Sequence, residues 1–320
     1  MTLNLRLPVF AAPMFLVSGP ELVIAACKAG IVGTFPTPNC RNTQELDAWM
    51  AEITSALASA KPGPYPIGPW AANLITHQSN ARLSDDLALV KTYRPPIVIT
   101  ALGSPKPAID MVHGYGGAVF ADVVNINLAR KAVAAGADGL VCVSAGAGGH
   151  TGYFSPFAFV SAVREFFSGP VIIGGGIADG AGIAGAIAAG ADYAYMGTRF
   201  LPTVESRAVE PYKQMVADCG PDDLIVSAGI TGTPASWLKP SLLAAGLDPS
   251  TLNEKPERNY TAGENTLKRW RDLWSAGQSL HGVKRIEPVA AVVDALERDF
   301  RQAVKRFEAR AQSCSATVVV

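Results

Sequence analysis

The sequence predicts an α/β protein, a (β/α)8 barrel with a small helical cap inserted near its C-terminus, and three observations carry that prediction. Short β-branched or apolar runs alternate with alanine-rich helical stretches, as a parallel sheet covered by helices requires. The alternation is repeated until eight units have been counted, the number that closes a barrel. From about Pro221 the pattern gives way to Pro, Gly, Ser and Thr, before a long amphipathic stretch restores helical periodicity.

The first unit is "VFAAPM", Val9 to Met14, followed by "SGPELVIAACKAG". Ser18 and Glu21 have capping-box spacing there, and Gly30 can take the left-handed conformation that ends a helix. Four units follow: "IVGTFP" with "NTQELDAWMAEITSAL", "IGPWAANLI" with "SDDLALVKTY", "IVITAL" with "PKPAIDMVHGYG", and "GAVFADVV" with "INLARKAVAAG". The sixth strand, "GLVCVSA", leads to "SPFAFVSAVREFF", where Ser155 and Pro156 suit N-cap and first-turn positions. The seventh, "VIIGGG", leads to "DGAGIAGAIAAG", with Asp179 placed to cap. The eighth, "YAYMGTRFL", leads to "SRAVEPYKQMVADCG". The expected division is a barrel over 1–209, a mainly helical cap over 210–280 that includes the stretch "GENTLKRWRDLWSAGQSLHG", and a final helix over 281–320 packing back on the barrel, its tail "QSCSATVVV" frayed.

Composition narrows the function. With 49% hydrophobic and 17% charged residues and a mean hydropathy of +0.21, the chain can bury a large core. Lys+Arg 27 balance Asp+Glu 27, so no long-range field gathers nucleic acid or an anionic membrane, and the expected partner is a small molecule. The 5 cysteines are scattered without a CxxC pair, which argues against a disulfide framework or a metal site and fits a reducing cytoplasm. No apolar run has membrane-spanning length, so no membrane partner is expected. A monomer and a homodimer both stay open, because apolar helix faces serve a core and an interface alike.

The stretch "VCVSAGAGGHTGYFSPF" sets His150, one of 4 histidines, among glycines just after the sixth strand. Loops leaving the C-terminal strand ends build a barrel's active site, so this loop holds His150 over the mouth. An imidazole there can act as base or hydrogen-bond donor near neutral pH. Tyr153 and Phe154 are candidates to wall the pocket or simply to pack. Glycine-rich turns close the next two strands in "IIGGGIAD" and "YMGTRF", the recurrent phosphate position of such barrels. "GAGIAG" matches GxGxxG at Gly180, Gly182 and Gly185, but the strand has already ended at Gly174 to Gly176, so these glycines read as helix-packing residues.

With these residues in view the chain resembles the nitronate monooxygenase family of FMN-dependent TIM-barrel enzymes, relatives of the flavin enoyl-acyl-carrier reductases. The resemblance is carried by "AAPM", "AANL", "GAGGHTG", "GGGIAD", "GADYAYMGTRF" and "WSAGQ", in that order. It implies FMN across the barrel mouth: Ala12, Pro13 and Met14 at the ring, the Asn73 amide on its polar edge, and Gly175, Gly176, Gly197 and Thr198 on the phosphate. Gln278 would reach in from the cap, and Ser144, Gly148, Gly149 and Met196 complete the implied lining. The implied reaction is oxidation of an alkyl nitronate or nitroalkane with O2 to a carbonyl compound and nitrite, with His150 as the catalytic residue. A second reading keeps FMN but makes the chain an NAD(P)H-dependent reductase of quinones or enoyl thioesters. A third, a flavin-free barrel binding a phosphorylated metabolite, lacks the loop cysteine that nucleotide dehydrogenases use. One departure stands out: some relatives carry a lysine after the fifth strand, whereas here "FADVVN" places Asp122.

Overall fold

The computed structural model describes residues 3–61, 63–252 and 270–315. Eight parallel strands close a barrel: β1 (Val9–Ala11), β2 (Val32–Pro36), β3 (Trp70–Ile75), β4 (Ile97–Ala101), β5 (Ala118–Val123), β6 (Gly139–Val143), β8 (Val171–Gly174) and β9 (Tyr193–Met196). Closure is made by β9 lying on β1, where Phe10 pairs with Tyr195. Strand β7 (Gly149–His150) stands outside the barrel, in a small antiparallel sheet with β10 (Leu224–Ser227) and β11 (Ala235–Leu238).

Seven helices follow the sequence units: α1 (Pro20–Lys28), α2 (Thr43–Ala58), α3 (Leu83–Tyr93), α4 (Lys106–Gly114), α5 (Ile126–Ala134), α6 (Pro156–Arg164) and α7 (Gly180–Ala188). Their starts are fixed as the residue types dictate, because a helix leaves its first N–H groups without partners. The Ser155 side chain accepts from Ala158 N–H and the Asp179 side chain from Gly182 N–H. Gly30 ends the first unit at φ +87°. The capping box expected at Ser18 and Glu21 does not form. Gly19 is the N-cap, and the Ser18 hydroxyl instead accepts from Met14 N–H at 2.9 Å, folding the loop after β1 back on itself.

The eighth helical position is filled differently from the expectation. The "VEPYKQMVAD" stretch forms α8 (Glu210–Asp218), but its Tyr212 and Val216 join a cluster with Val17, Leu238, Ala276 and Leu280. The long C-terminal helix α10 (Val289–Ser315) takes the place between α7 and α1. Its Val289, Val292, Val293 and Leu296 share one core with Leu7, Leu22, Ala26, Ile183 and Ala186. Strand alternation counts units but does not say which helix returns to the ring.

Two polar devices aim α10. Both Glu205 carboxylate oxygens accept from Val289 N–H, at 3.0 and 3.2 Å, next to the positive end of the helix dipole. At the barrel's other end Arg6 bonds Glu297 at 2.6 Å and Asp294 at 2.7 Å.

Between α8 and α10 the chain contains α9 (Lys239–Ala244), short 3-10 turns, and strands β10 and β11, which build the small sheet on β7 and which the loop-like composition did not announce. Of the stretch read as a further helix, 263–269 lies outside the described residues, and the remainder is irregular until a 3-10 turn at Gln278–Gly282. The tail beyond residue 315 also lies outside the described residues. Among the described residues no helix is long and apolar enough to cross a membrane.

The glycines of "GAGIAG" serve packing unequally. A Cβ at Gly180 would land on the backbone of Leu296 and Phe300 in α10, whereas one at Gly185 would meet nothing within 4 Å. Gly180→Ala is therefore expected to destabilise by about 1–3 kcal/mol through overpacking, and Gly185→Ala to stabilise by up to about 1 kcal/mol through helix propensity. Denaturant unfolding of both variants checks the pair; equal effects would remove the close approach of α7 and α10 as the reason for Gly180.

Candidate functional site

The barrel interior is apolar through most of its height. Phe10, Val32, Ile97, Ile99, Phe120, Val141, Ile172 and Tyr193 form one cluster inside the strands. Alternation fixes the next inward positions: Ala121 and Val123 pack in the outer core, so Asp122 shares the inner face with Phe120. Tyr195 shares that face with Tyr193. Asn73 pairs with Ile99, and Ile99 with Phe120. Strands of such a barrel climb about one residue per strand relative to the mouth, so the residue of β5 level with Asn73 is Asp122. The top of the interior is thus polar where the rest is not.

The loop after β1 is held by a residue that the sequence reading missed. Asn39 donates to the carbonyls of Met14 at 3.0 Å and Ser18 at 2.7 Å, and its Oδ1 accepts from Leu16 N–H at 2.8 Å. Leu16 is kept at φ 62° by this grip. Ala12, Pro13 and Met14 are thereby fixed beside the end of β9. Ala12 N–H donates to the Met196 carbonyl at 3.0 Å, while the Met196 side chain belongs to the outer core. At Gly197 a Cβ would stand 3.6 Å from Met14 Sδ and 3.7 Å from Ala12 Cβ, ordinary contact distances.

On the other side of the mouth the loops after β6 and β8 interlock. The Ser144 hydroxyl donates to the Gly174 carbonyl at 2.5 Å, and a Cβ at Gly175 (φ +135°) would fall on Ser144 Oγ. Gly176 N–H donates to the Gly146 carbonyl at 3.2 Å, and Gln278 N–H to the same carbonyl at 2.9 Å. The cap segment arrives here backbone against backbone: a Cβ at Gly148 would sit 2.7 Å from Gly277 N, and one at Gly277 would sit 2.6 Å from the Gly146 carbonyl. Gly277 N–H also donates to Thr198 Oγ1 at 2.8 Å. Gln278 Oε1 then lies over Gly146 and 4.0 Å from a Cβ position on Gly176. Gly146 and Gly277 were not singled out from sequence, because a glycine's use in close approach depends on a partner distant in the chain.

This geometry sorts the expected residues. Ala12, Met14, Met196 and Gly197 form one group, and Ser144, Gly148, Gly175, Gly176, Thr198 and Gln278 a second, linked by the turn at Gly197 and Thr198. Asn73 stands apart on β3, one Nδ2 hydrogen donated to the Ile99 carbonyl at 3.2 Å, which leaves Oδ1 and the second N–H for an outward partner. The space at Gly148 is filled by the cap, and Gly149 is at φ +66° in β7, so packing and backbone conformation account for both glycines.

His150 belongs to a strand and not to a free loop: it pairs with Ala235 of β11, and its ring stands edge-on to Trp270 at 5.2 Å. Trp270 in turn stacks on Trp237 at 4.6 Å. Loss of water around the ring lowers the imidazole pKa from its ordinary 6.5, favouring the neutral, basic form. Thr151 anchors the neighbouring position, its Oγ1 donating to the Ser144 carbonyl at 3.1 Å. Phe154 stacks on Phe159 at 5.3 Å and reads as packing, whereas Tyr153 is exposed.

Asp122 Oδ1 and the Tyr195 hydroxyl are buried without a hydrogen-bond partner. Burial raises the Asp122 carboxyl from 3.8 to about 7. It also raises the Tyr195 phenol, with Asp122 adding to the effect. A separate cleft of about 430 Å³, between Lys28, Ala60 and Tyr65, lies where helices end below the strands and includes none of these residues.

The family model described as nitronate monooxygenase matches residues 2–296 of the chain. The chain is 29% identical to the nitronate monooxygenase of Paraburkholderia phytofirmans over 95% of each sequence. It is also 29% identical to a Rhodococcus jostii (3aS,4S,5R,7aS)-5-hydroxy-7a-methyl-1-oxo-octahydro-1H-indene-4-carboxyl-CoA dehydrogenase, over 74% of this chain and 64% of that one. Among solved structures it is similar to FabK from Thermotoga maritima, with a TM-score of 0.76 at 25% identity over 96% of both chains. Nitroalkane oxidase from Streptomyces ansochromogenes has the same fold, with a TM-score of 0.75 at 22% identity over 95% of this chain and 98% of that one.

The Asp122 geometry gives a signed pH dependence. Its pKa is about 7 when folded and returns to near 3.8 when unfolding exposes it, so between those values the folded state holds a proton that the unfolded state has lost. Stability must therefore fall as pH rises through that window. Relative to Asp122→Asn, which does not titrate, the parent is expected to lose thermal stability from about pH 4 to about pH 7 and to run parallel above it. Melting curves of both proteins across that range check the sign; parallel curves throughout would mean that Asp122 titrates as a solvated carboxylate.

Proposed function

The chain belongs to the nitronate monooxygenase family, and from that premise we propose that it is an FMN-dependent oxidoreductase that oxidises alkyl nitronates with O2 to a carbonyl compound and nitrite. The observation that carries the cofactor assignment is Gly197. The fold leaves ordinary space for a Cβ there, and Gly197 is absent from the positive-φ glycines, so neither packing nor backbone conformation demands glycine. Gly197 directly follows β9, where such barrels hold phosphate, and that position supports a ligand pressed against its backbone. The orphaned polar oxygens at the top of the barrel fit the same ligand, since buried polar groups are normally satisfied.

In this reading Gly197 and Thr198 hold the phosphate by backbone N–H groups, Gly175 and Gly176 let it approach by their lack of side chains, and the Gln278 amide closes the site from the cap. Ala12, Pro13 and Met14 face the ring, and Asn73 Oδ1 accepts from its polar edge. Bound FMN supplies the electron acceptor that no side chain offers. His150, held neutral by desolvation, accepts the carbon-bound proton of a neutral nitroalkane at an imidazole nitrogen. A nitronate arrives with that proton already gone, so for it His150 positions the anion. Asn39 and Ser18 act one step back by fixing the loop that carries Met14.

The likeness to FabK and to the indene-carboxyl-CoA dehydrogenase favours one second reading, NAD(P)H-dependent reduction of enoyl thioesters or quinones on the same FMN. Anaerobic titration with NADH, NADPH and an alkyl nitronate separates the two: bleaching of the flavin by the nitronate alone supports the oxidase reading, and rapid bleaching by a nicotinamide supports the reductase.

Gly197→Val is expected to fold like the parent yet retain little FMN, measured by denaturing release and mass analysis; full retention, or release of FAD, would remove the assigned cradle. Gln278→Ala is expected to weaken flavin binding or shift its spectrum. His150→Ala is expected to keep its flavin and lose about 10²–10⁴-fold in turnover of neutral nitroalkane, with a smaller loss on preformed nitronate. Steady-state kinetics on both substrate forms read this out, and near-parent rates on both would return His150 to a structural place in β7.

A further inference from the structure

Above Phe120 and Tyr193 the apolar barrel interior ends in two oxygens that the protein leaves unsatisfied, Asp122 Oδ1 on β5 and the hydroxyl of Tyr195 on β9. Both residues occupy inward positions just below the mouth, and Asp122 is level with Asn73. A single buried polar atom without a partner is an expense that folds usually avoid. Two that face one chamber from separate strands point to a group that arrives with the ligand.

The charge of Asp122 decides what that group can be. Among the described residues, the titratable groups that sense Asp122 are Tyr195 on β9 and Cys142 on β6, and its negative charge is unfavourable to the ionised form of each. Burial is the cause that raises the carboxyl, and among the described residues no cation offsets it. A carboxylic acid in such a setting keeps its proton and becomes a donor. The Tyr195 phenol, raised as well, is a second donor. Asn73, one of whose two amide hydrogens is engaged by the Ile99 carbonyl, presents its Oδ1 acceptor beside them together with the remaining N–H.

We propose that Asp122, as a neutral carboxylic acid, acts with the Tyr195 hydroxyl to donate hydrogen bonds to a ligand oxygen that carries negative charge. That oxygen belongs to the reduced flavin ring or to a bound nitronate, and the inference rests on the cofactor reading above for the first of these. No bond is made or broken in this step: the proton stays on Asp122, and the site stabilises an anion without a fixed cation. An acceptor at Asn73 next to two donors also selects a polar edge that alternates N–H and C=O.

Three readouts on the purified protein, Asp122→Asn and Tyr195→Phe test it. The infrared difference between the parent and Asp122→Asn should contain the carbonyl band of a protonated acid at about pH 6, shifted by deuterium and gone by about pH 9. The flavin midpoint potential and the dissociation constant of an alkyl nitronate, each followed against pH, identify the oxygen. In the arm that reports it, Asp122→Asn should match the parent within about twofold at pH 6, and the parent alone should weaken above about pH 7. Tyr195→Phe should weaken the same arm about tenfold. No acid band, a higher potential or tighter nitronate binding for Asp122→Asn at pH 6, or flat profiles in both arms would each overturn the proposal. Protein that holds no flavin would overturn the cofactor reading instead, with the acid band and the nitronate arm still deciding the role of Asp122.

Discussion

The site depends on one close approach, the packing of Gly277 against Gly146 and Gly148. Gly148 and Gly277 let two backbones meet at distances that no Cβ would allow, and the contact is secured by Gln278 N–H on the Gly146 carbonyl and Gly277 N–H on Thr198 Oγ1. Through it a segment late in the chain becomes part of the mouth built by β6, β8 and β9. Gly176 N–H shares the Gly146 carbonyl, so the same atom organises the β8 turn and the cap. A side chain at Gly148 or Gly277 would press directly on the backbone across this contact, whereas one at Gly146 would meet the end of the Gln278 side chain.

The return of the chain to the ring is the second constraint. Because α10 and not α8 packs between α7 and α1, the whole cap is an insertion between the last strand and the last barrel helix. Its exit is pinned by Arg199, which bonds Glu287 at 2.8 Å with both side chains largely buried. Burial alone would raise the Glu287 carboxyl, but hydrogen bonds from Arg199 and Arg285 outweigh it and hold the group below its ordinary value. Glu205 then caps α10 a few residues on. The last helix of the ring thus follows the cap in the chain, and its start is anchored by residues of the β9 side, Arg199 and Glu205.

Much of this was legible in the sequence, for local reasons. Strand runs with period two and helices with their own caps announce themselves within ten residues, which is why all eight barrel strands and the caps at Ser155 and Asp179 were read correctly. The capping box at Ser18 failed because spacing alone cannot tell a helix cap from a hydroxyl used by its own loop. The choice of α10 over α8, the role of Asn39 and the pairing of β7 with β11 are long-range facts, set by partners far along the chain. Asp122 is conspicuous in the sequence as a departure from a family pattern, whereas Tyr195, within "YAYMGTRFL", has no such signal. Only the inward face and the lack of a partner distinguish it.

Strand β7 has two masters. Through Ser144 and Thr151 it continues the barrel wall, and through Ala235 it is an edge of the cap's own sheet. His150 is therefore geared to both bodies: a shift of the cap must drag the imidazole with it or shear the β7–β11 ladder. The orientation of the imidazole is in this way set by the cap as much as by the barrel, since the ladder to Ala235 and the ring of Trp270 both belong to the cap.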